Sequence, residues 1–345
     1  MSEEIRPAAA ADLTAILAIM RTSLGWPSDA RAERLWRWKH EDSPFGPSPV
    51  WVGVAGGQVV AVRAFLRWEL VSTSGACIRA VRAVDTATHP QHQGRGWFRR
   101  LTLHGMDALA DEGVEVVFNT PNDASRPGYL SMGWTEQDRL TAWVRVRRPT
   151  AVPRIWRSRV PADLWPLVGN ENRRGTAGRP APLAFADEAT LAAALSRAAT
   201  PSIASPGGRA TGVGAHGVGV STIRGPEFYR WRYGLDALGY QVVCAEGGME
   251  EGFAVVRPRR RGSVSELAVL DVVARPERAS RVLRQALQLG HCDHALSLGR
   301  RPGGTWLRAP GLGPRLVARS VAGGPNPSPL APSTWDLCLG DVELL

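Results

Sequence analysis

The pattern of apolar and polar positions over residues 1–150 predicts strands and helices in alternation. Apolar residues at helical spacing follow Asp12, a candidate N-cap, and a second helix is predicted over residues 30–39. Short apolar runs on both sides of the Gly56-Gly57 turn predict a hairpin over residues 50–62. Further strands are predicted at residues 78–86, 114–119 and 141–146, and a further helix at residues 94–110. This order favours an α/β or α+β fold with a mostly antiparallel sheet.

The same order of signals returns in the second half of the chain, after a proline-rich stretch at residues 147–185. Three echoes carry this repeat: Arg37-Trp38-Lys39 with Arg230-Trp231-Arg232, the hairpin at residues 50–65 with residues 240–256, and Val84-Asp85 through Pro90 with Leu270-Asp271 through Pro276. Ordered echoes at a nearly constant offset indicate two tandem copies of one fold. The predicted domains are residues 1–150 and 185–345, joined by a linker over residues 151–184.

The charge of this chain of 345 residues indicates an anionic partner, because the net charge is +10. Lys39 is the only lysine among its 42 basic residues, and basic runs interleaved with aromatic residues are scarce, so we expect no nucleic-acid partner. An anionic cofactor or substrate is the better use of this charge. No stretch of about 18 apolar residues and no secretory signal is visible, so we expect no membrane span and a cytoplasmic location.

The cysteines and histidines do not form a pattern typical of a metal site. The four cysteines include no C-x-x-C pair, which argues against a zinc ribbon or a disulfide scaffold and fits a reducing compartment. His291 and His294 are three residues apart, but no further ligand is apparent beside them. We therefore predict no metal site.

The segment after Pro90 carries the clearest chemical signal. Two glycines, Gly94 and Gly96, lie between a predicted strand and a predicted helix. Backbone N–H groups point outward at such a junction, and the helix dipole adds about half a positive charge, so the segment suits a phosphate. It is not a dinucleotide fingerprint, because Arg99 replaces the third glycine, and no P-loop Gly-Lys pair follows. The second copy has no glycine directly after Pro276, so we expect the first copy to be the working one.

Two motifs of the first copy resemble those of the GCN5-related N-acetyltransferase (GNAT) family. In that family a proline precedes Arg/Gln-Gly-x-Gly-x-Gly/Ala at a helix start, and here Pro90 precedes Gln93-Gly94-Arg95-Gly96-Trp97-Phe98. Phe98 departs from the family pattern, which has a small residue there. The later family signature, Asn-x-x-Ala-x-x-x-Tyr-x-x-x-Gly-Phe, is matched by Asn122, Tyr129 and Gly133, with Ser125 replacing Ala and Trp134 replacing Phe. The resemblance implies two tandem GNAT folds, each a mixed, mostly antiparallel sheet flanked by helices, with a degenerate second copy that lacks the pyrophosphate loop.

The resemblance also implies how the motif residues handle acyl-CoA. The strand residues Thr86, Ala87 and Thr88 would pair with the pantetheine arm, because this strand splays from its neighbour in the family. The remaining implied cofactor-binding residues are Gln93, Gly94, Arg95, Gly96, Trp97, Phe98, Asn122 and Ser125. Tyr129 would protonate the departing CoA thiolate, which suits a phenol because phenols are protonated at neutral pH. Asp85 is the candidate base; a structural role for Asp85, or the carboxylate of Leu345 as base, are the alternatives.

The implied reaction is transfer of an acyl group, acetyl or longer, from acyl-CoA to a primary amine by direct attack. Residues 34–40 and 84–90 resemble a bacterial tandem subgroup, which implies as acceptor an amino sugar of a small molecule or natural product, such as a glycopeptide antibiotic. The alternatives are a protein-lysine acetyltransferase and a non-catalytic acyl-CoA-binding protein. The sequence leaves open whether the chain forms a homo-oligomer.

Tryptophans are frequent on the predicted acceptor side of the first copy. They are Trp26, Trp36, Trp38, Trp51 and Trp68. We expect most of them to pack in the core, and one or two are candidates for a platform under a sugar or an aryl ring, or for the wall of an acyl channel.

Overall fold

The structure is a computed structural model, and it describes residues 2–158, 160–165, 178–199, 219–289, 292–302, 305–321 and 334–343. Its contacts divide the chain into two units. The first unit comprises Met1–Asp138 and Arg315–Ser333, and the second comprises Arg139–Pro314 and Thr334–Leu345. Each unit is built on one mixed sheet with helices against it, so the predicted α/β class with two such folds is confirmed.

The first unit contains most of the N-terminal elements of the chain. They are β1 (Glu3–Pro7), α1 (Leu13–Leu24), α2 (Ala30–His40), β2 (Val50–Ala55), β3 (Gln58–Ser72), β4 (Cys77–Thr88), α3 (Trp97–Asp111), β5 (Val116–Asn119), α4 (Arg126–Ser131) and β6 (Thr135–Arg139). Local signals explain the helix bounds. Helix α2 begins after Asp29, whose carboxylate accepts the Arg31 N–H at 2.9 Å, and α1 ends at Gly25, which has a φ of 70°.

The elements that follow lie mostly in the second unit. They are β7 (Ala142–Val146), α5 (Val152–Arg157), β8 (Arg179–Pro180), α6 (Ala181–Ala184), α7 (Glu188–Ala199), β9 (Gly219–Thr222), α8 (Pro226–Arg232), β10 (Gln241–Ala245), β11 (Gly248–Arg261), β12 (Val264–Val273), α9 (Pro276–Ala286), β13 (His294–Leu298), β14 (Leu307–Arg308), β15 (Arg315–Ser320), β16 (Thr334–Asp336) and α10 (Leu339–Val342). Of these, β15 alone belongs to the first unit.

The sheet of the first unit has the strand order β1-β2-β3-β4-β5-β15-β6. Strands β4 and β5 run parallel, whereas the ladders β1–β2, β2–β3, β3–β4 and β5–β15 are antiparallel. Helix α3 covers one face through an apolar cluster that includes Leu101, Leu109, Phe65 and Val117. This helix starts directly after the glycine loop, so its packing fixes the position of that loop against the sheet.

The sheet of the second unit has the order β14-β7-β13-β12-β11-β10-β8. It repeats the hairpin, the parallel strand pair and the intervening helix of the first unit: β10–β11 is antiparallel, β12 and β13 run parallel, and α9 lies between them in sequence. Its own apolar cluster includes Leu283, Ala286, Val269 and Trp306. The repeat predicted from the three echoes therefore corresponds to a repeated order of elements.

Two strands depart from the division predicted at residue 150. The strand predicted at 141–146 is β7, and it pairs with β13 in the second sheet, from Ala142↔Leu298 to Val146↔His294. In the first sheet, the place beside β5 is taken by β15, through Val317↔Asn119 and its neighbours. Pairing between residues this far apart in sequence leaves no local pattern, so the sequence signals could not show it.

Parts of the predicted linker and of the predicted second domain fall outside the described residues. They include residue 159 and residues 166–177 of the linker, and residues 200–218 of the second domain. Among the described parts of the linker range are α5, β8 and α6. In the described parts of the chain, the helices are too short or too polar to cross a membrane.

Candidate functional site

The first unit has an open edge where β4 and β5 separate. Their parallel ladder pairs Ala80 to Arg82 with Val116 to Phe118 and then stops, so residues 83–88 of β4 have no strand partner on that side among the described residues. Asn119 ends β5 at this opening, and its side chain is buried with no hydrogen-bond partner for Oδ1 among the described residues. A buried orphan acceptor beside free strand edges suits an extended ligand that carries amide N–H groups.

A β-bulge at Asp85 shapes the reacting end of this opening. The β3–β4 register shifts between Arg63, which faces Thr86, and Ala64, which faces Val84. Asp85 is the extra residue, and its φ of 45° makes it the only non-glycine residue of the described chain with positive φ. A positive φ at a non-glycine residue costs free energy, and such strain is typical of functional sites. The bulge also bends the backbone of β4 and leaves the extra residue unpaired in the ladder.

The glycine loop leaves open space at the start of α3. Gly94 and Gly96 both have φ of 75°, and a Cβ placed on either would have no neighbour of the described residues within 4 Å. The first amides of α3 have no intrahelical acceptors, and the helical hydrogen bonds begin with the Arg100 N–H, which donates to Gly96 O at 3.0 Å. The loop therefore offers free N–H donors at a positive helix end, which fits the pyrophosphate of acyl-CoA.

Gln93 and Thr88 connect this loop to the free strand edge. The Gln93 side chain donates from Nε2 to the Thr88 carbonyl at 3.2 Å, and Ser23 Oγ donates to the same carbonyl at 2.9 Å. His89 accepts the Gln91 amide at its Nδ1, which caps the turn at Pro90. These bonds hold the turn in place. Because the Gln93 side chain is bonded to Thr88, the predicted cofactor contact of Gln93 would come from its backbone.

The two aromatic residues that begin α3 point into the protein. Trp97 is 1% exposed, and a Cβ on Gly53 would lie 2.5 Å from its Cε3 atom, so the strand needs glycine there. Phe98 packs on Gly128, and its ring centroid lies 5.2 Å from that of Tyr129. Phe98 therefore turns away from the open space over the loop glycines. The predicted cofactor contacts of Trp97 and Phe98 stay predictions, and such contacts would come from the backbone N–H groups of these residues rather than from their rings.

Tyr129 lies in a buried cluster with Arg63 and Thr86. Helix α4 supplies Tyr129, which is 3% exposed, and β3 supplies Arg63, which is fully buried. Arg63 Nη1 donates to Tyr129 Oη at 2.8 Å and to Thr86 Oγ1. Two residues that the sequence predicted for the site, Tyr129 and Thr86, thus share one partner that the sequence analysis missed. The available signal was an arginine among the otherwise apolar residues 59–66 of β3.

Asp85 is held by two neighbours from the end of α2. Lys39 Nζ lies 2.7 Å and His40 Nε2 lies 2.8 Å from Asp85 Oδ2, and all three side chains are nearly inaccessible. Burial by itself would raise the pKa of Asp85, but the Lys39 charge and the His40 hydrogen bond outweigh it and hold the pKa below its usual value. Burial lowers the pKa of His40, more than Asp85 raises it. The arrangement is thus a lysine–aspartate ion pair with a neutral histidine.

This pairing bears on the predicted role of Asp85 as a base. A carboxylate with a lowered pKa that already accepts from two donors is a weak proton acceptor. His40 also contacts Ser48 Oγ through Nδ1 at 3.0 Å, so the network extends to the segment just before β2. The catalytic role of Asp85 stays a prediction, and the alternative base at Leu345 lies outside the described residues.

Asn122 and Ser125 form a local turn before α4. Asn122 Oδ1 accepts from the Ser125 N–H at 2.8 Å and from Ser125 Oγ at 2.9 Å, and Asn122 is exposed. Their cofactor-binding roles stay predictions. Asn119, three residues earlier, is the buried asparagine at the strand opening, and sequence alone could not tell which of the two faces inward.

The corresponding opening of the second unit is filled by the segment Leu337 to Glu343. The β12–β13 ladder stops at Ala268↔Leu296, as β4–β5 stops at Arg82↔Phe118. A Cβ on Gly299, just after β13, would collide with the Leu337 carbonyl, and one on Gly340 would lie 3.3 Å from the Leu270 carbonyl of β12. Arg232 Nε donates to Gly340 O at 2.7 Å. Chain atoms thus lie where the first unit offers open strand edges.

The five tryptophans of the predicted acceptor side are all buried. Trp26, Trp36, Trp38, Trp51 and Trp68 are between 1% and 6% exposed. Trp26 and Trp36 contact each other edge-to-face at 6.4 Å between ring centroids. They pack in the first unit as core residues. In addition, no group of three or more His, Cys, Asp or Glu side chains suited to a metal occurs in the described residues.

Comparisons with known proteins agree with this geometry. The family model of the Acetyltransferase (GNAT) domain matches residues 4–136. Among solved structures, a GCN5-related N-acetyltransferase from Anabaena variabilis is 12% identical with a TM-score of 0.59, covering 93% of this chain and 73% of that one. Eis1 from Mycobacterium abscessus is 18% identical with a TM-score of 0.56, covering 93% and 74%. A GCN5-related N-acetyltransferase from Kribbella flavida is 16% identical with a TM-score of 0.55, covering 93% and 72%. No curated protein sequence matches the chain.

Proposed function

We propose that this chain, whose residues 4–136 match the GNAT acetyltransferase domain, is an acyl-CoA-dependent N-acetyltransferase and that its acceptor is the primary amine of an amino sugar. The observation that carries a transfer role at this site is the position of Tyr129. Its phenol is buried and bonded to Arg63, which also binds Thr86 on the free edge of β4. A proton donor beside a free strand edge is the arrangement that thioester aminolysis needs.

Acyl-CoA supplies the activated acyl group, and the residues of the first unit hold it. The loop at Gly94 and Gly96 would bind its phosphates through backbone N–H groups, and the edge of β4 at residues 86–88 would pair with its amides. Asn119 Oδ1 is available for a further amide N–H. Holding the thioester in one place supplies much of the rate, because proximity and orientation lower the barrier to attack by the amine.

Tyr129 holds the proton that the leaving sulfur needs. The amine nitrogen forms the new bond to the acyl carbon, the carbon–sulfur bond breaks, and the Tyr129 Oη proton goes to the sulfur. The proton lost by the amine nitrogen restores Tyr129. In this scheme Asp85 has a structural role. Its contacts with Lys39 and His40 keep the strained backbone of the bulge in one conformation.

The acceptor is proposed from the resemblance of residues 34–40 and 84–90 to the bacterial tandem subgroup, and the acyl length stays open between acetyl and longer chains. The test measures CoA thiol release with acetyl-CoA or decanoyl-CoA and with glucosamine or a lysine peptide as acceptor. We expect amine-dependent release that is faster with glucosamine. A reaction restricted to the peptide would instead indicate a protein-lysine acetyltransferase.

Tyr129→Phe tests the role of the phenol in the same assay. We expect a loss of about 10²–10³ in kcat, because general-acid contributions fall in the range of about 10²–10⁴. The affinity for free CoA, measured by calorimetry, is expected to stay within about twofold, since the ring and its packing on Phe98 and Trp134 remain. An unchanged turnover rate, or tight CoA binding without turnover of any amine, would favour a non-catalytic acyl-CoA-binding protein.

A further inference from the structure

Arg63 carries a buried charge that no acidic side chain of the described residues balances. The residue is 0% exposed, and no ion pair with a carboxylate reaches it within the described parts of the first unit. Arginine stays protonated in proteins, so the charge is present in the folded state. Burying a charge costs several kcal/mol unless partners compensate it. Packing alone gives no reason for a cation at this position of β3.

The compensation that Arg63 does have comes from aromatic rings and hydroxyl groups. Its Cζ lies 4.8 Å from the ring centroid of Phe65, 5.4 Å from that of Tyr129 and 5.7 Å from that of Phe98. Its Nη1 donates to Thr86 and Tyr129, whereas Nε and Nη2 have no hydrogen-bond partner among the residues described. This environment leaves the cation ready to stabilise a negative charge that forms nearby.

The hydrogen bond between Arg63 and Tyr129 has only one possible polarity. A guanidinium has five N–H donors and no acceptor, so Tyr129 Oη must be the acceptor in this bond. The proton of Tyr129 is then directed elsewhere. In addition, the cation lies 2.8 Å from the oxygen that becomes negative when that proton leaves, and both side chains are buried. Electrostatic stabilisation is strongest under these conditions.

We propose that Arg63 is a positioning residue for acyl transfer, which directs the Tyr129 proton toward the leaving sulfur and stabilises the phenolate that remains. This inference rests on the proposed function. In the step, the nitrogen–carbon bond forms, the carbon–sulfur bond breaks and the Tyr129 proton passes to the sulfur. The phenolate beside Arg63 then takes the proton that the amine nitrogen gives up, so protons and charge balance over one turnover.

The test is a double-mutant cycle of Arg63→Met and Tyr129→Phe, with Arg63→Lys as the conservative variant. Arg63→Met is expected to lower kcat about 10- to 100-fold, somewhat below the loss of a donor that faces the substrate directly. The KM for acetyl-CoA and the affinity for CoA stay within about threefold. Arg63→Lys recovers part of the loss, because an ammonium also only donates. In the Tyr129→Phe background, Arg63→Met changes kcat less than about threefold, because the group it acts on is gone.

Arg82→Met is the matched control. Arg82 is 2% exposed in β4 and stacks on Trp68 and Phe118 at 5.6 and 5.5 Å, so it resembles Arg63 in burial and surroundings. Its replacement is expected to leave kcat unchanged. Losses that multiply in the double variant, or full activity of Arg63→Met beside a damaged Tyr129→Phe, would overturn the role of Arg63 alone. Full activity of Tyr129→Phe, or a wild type without turnover, would overturn the proposed function and this inference together.

Discussion

At the scale of single residues, the site of the first unit is set by buried charges. Lys39, the only lysine of the chain, is 1% exposed and lies against Asp85. A compact ammonium fits beside a carboxylate oxygen that His40 also contacts, whereas a planar guanidinium needs room for its fork. In a chain that otherwise uses arginine for its basic residues, this single departure coincides with the bulge at the candidate site.

His40 predicts a loss of stability in mild acid. Because burial holds the pKa of His40 below its unfolded value of about 6.5, the unfolded chain takes up this proton first as the pH falls. The free energy of unfolding should therefore decline below about pH 6.5, by up to about 1.4 kcal/mol per pH unit for one proton. Asp85, whose pKa is lowered, adds a further decline only below about pH 4.

The check is urea unfolding of wild type and His40→Gln between pH 7 and pH 5. The variant should lose most of the decline in this range, because glutamine does not titrate. His104→Gln is the control, since His104 is exposed on α3. Equal slopes for His40→Gln and wild type would show that the titration of His40 does not set acid stability.

Residue roles could be predicted where a motif specifies them, as at Gly94, Gly96 and Tyr129. Arg63 and Asn119 belong to no motif, and their importance comes from burial and missing partners, which depend on tertiary packing. The sequence shows a charge and an amide within strands, but it does not show that these groups face the opening between β4 and β5.

At the scale of elements, the conformation of the loop before α3 predicts the effect of replacing its two glycines. Gly94→Ala and Gly96→Ala force alanine to a φ of 75°, at a cost of about 1–2 kcal/mol in stability. They also place a methyl group in the open space where phosphates would lie. Affinity for CoA, measured by calorimetry, should fall at least about tenfold, which is about 1.4 kcal/mol of binding free energy.

Gly57→Ala is the matched control for the loop variants. Gly57 lies in the β2–β3 turn with a φ of 77°, and a Cβ there would also meet no described atom within 4 Å. It should show the same stability loss and unchanged CoA affinity. If all three variants bind CoA like the wild type, the loop is an ordinary turn and holds no phosphate.

Some elements of the fold can be predicted from the local sequence, whereas the pairing of distant strands cannot. The order β4, glycine loop, α3 follows from turn residues and helical spacing, all within a few tens of residues. On the side away from β4, strand β5 pairs with β15, whose Val317 faces Asn119. This pairing depends on contacts that bring distant parts of the chain together. The local sequence of β15 does not indicate which sheet this strand joins.

At the scale of the whole chain, the two repeated units differ in what fills the opening between their parallel strands. In the first unit, residues 83–88 have free strand edges beside a glycine loop. In the second unit, the segment Leu337 to Glu343 occupies this place, and α9 starts at Pro276 without a glycine loop. Both units thus have the same architecture, but the described residues leave a ligand opening only in the first unit. We therefore expect one CoA per chain.

Glu343→Gln tests whether this segment is an integral part of the second unit. Glu343 contacts the buried side chains of Arg257 and Arg259, and removing one partner of a buried ion pair costs about 3–5 kcal/mol. Asp336→Asn, which breaks only the exposed pair with Arg300, should cost less than about 1 kcal/mol. Urea unfolding followed by tryptophan fluorescence measures both losses. Calorimetry should give one CoA per chain for wild type and for both variants. A second CoA bound by Glu343→Gln would show that the segment blocks a working site rather than replacing one.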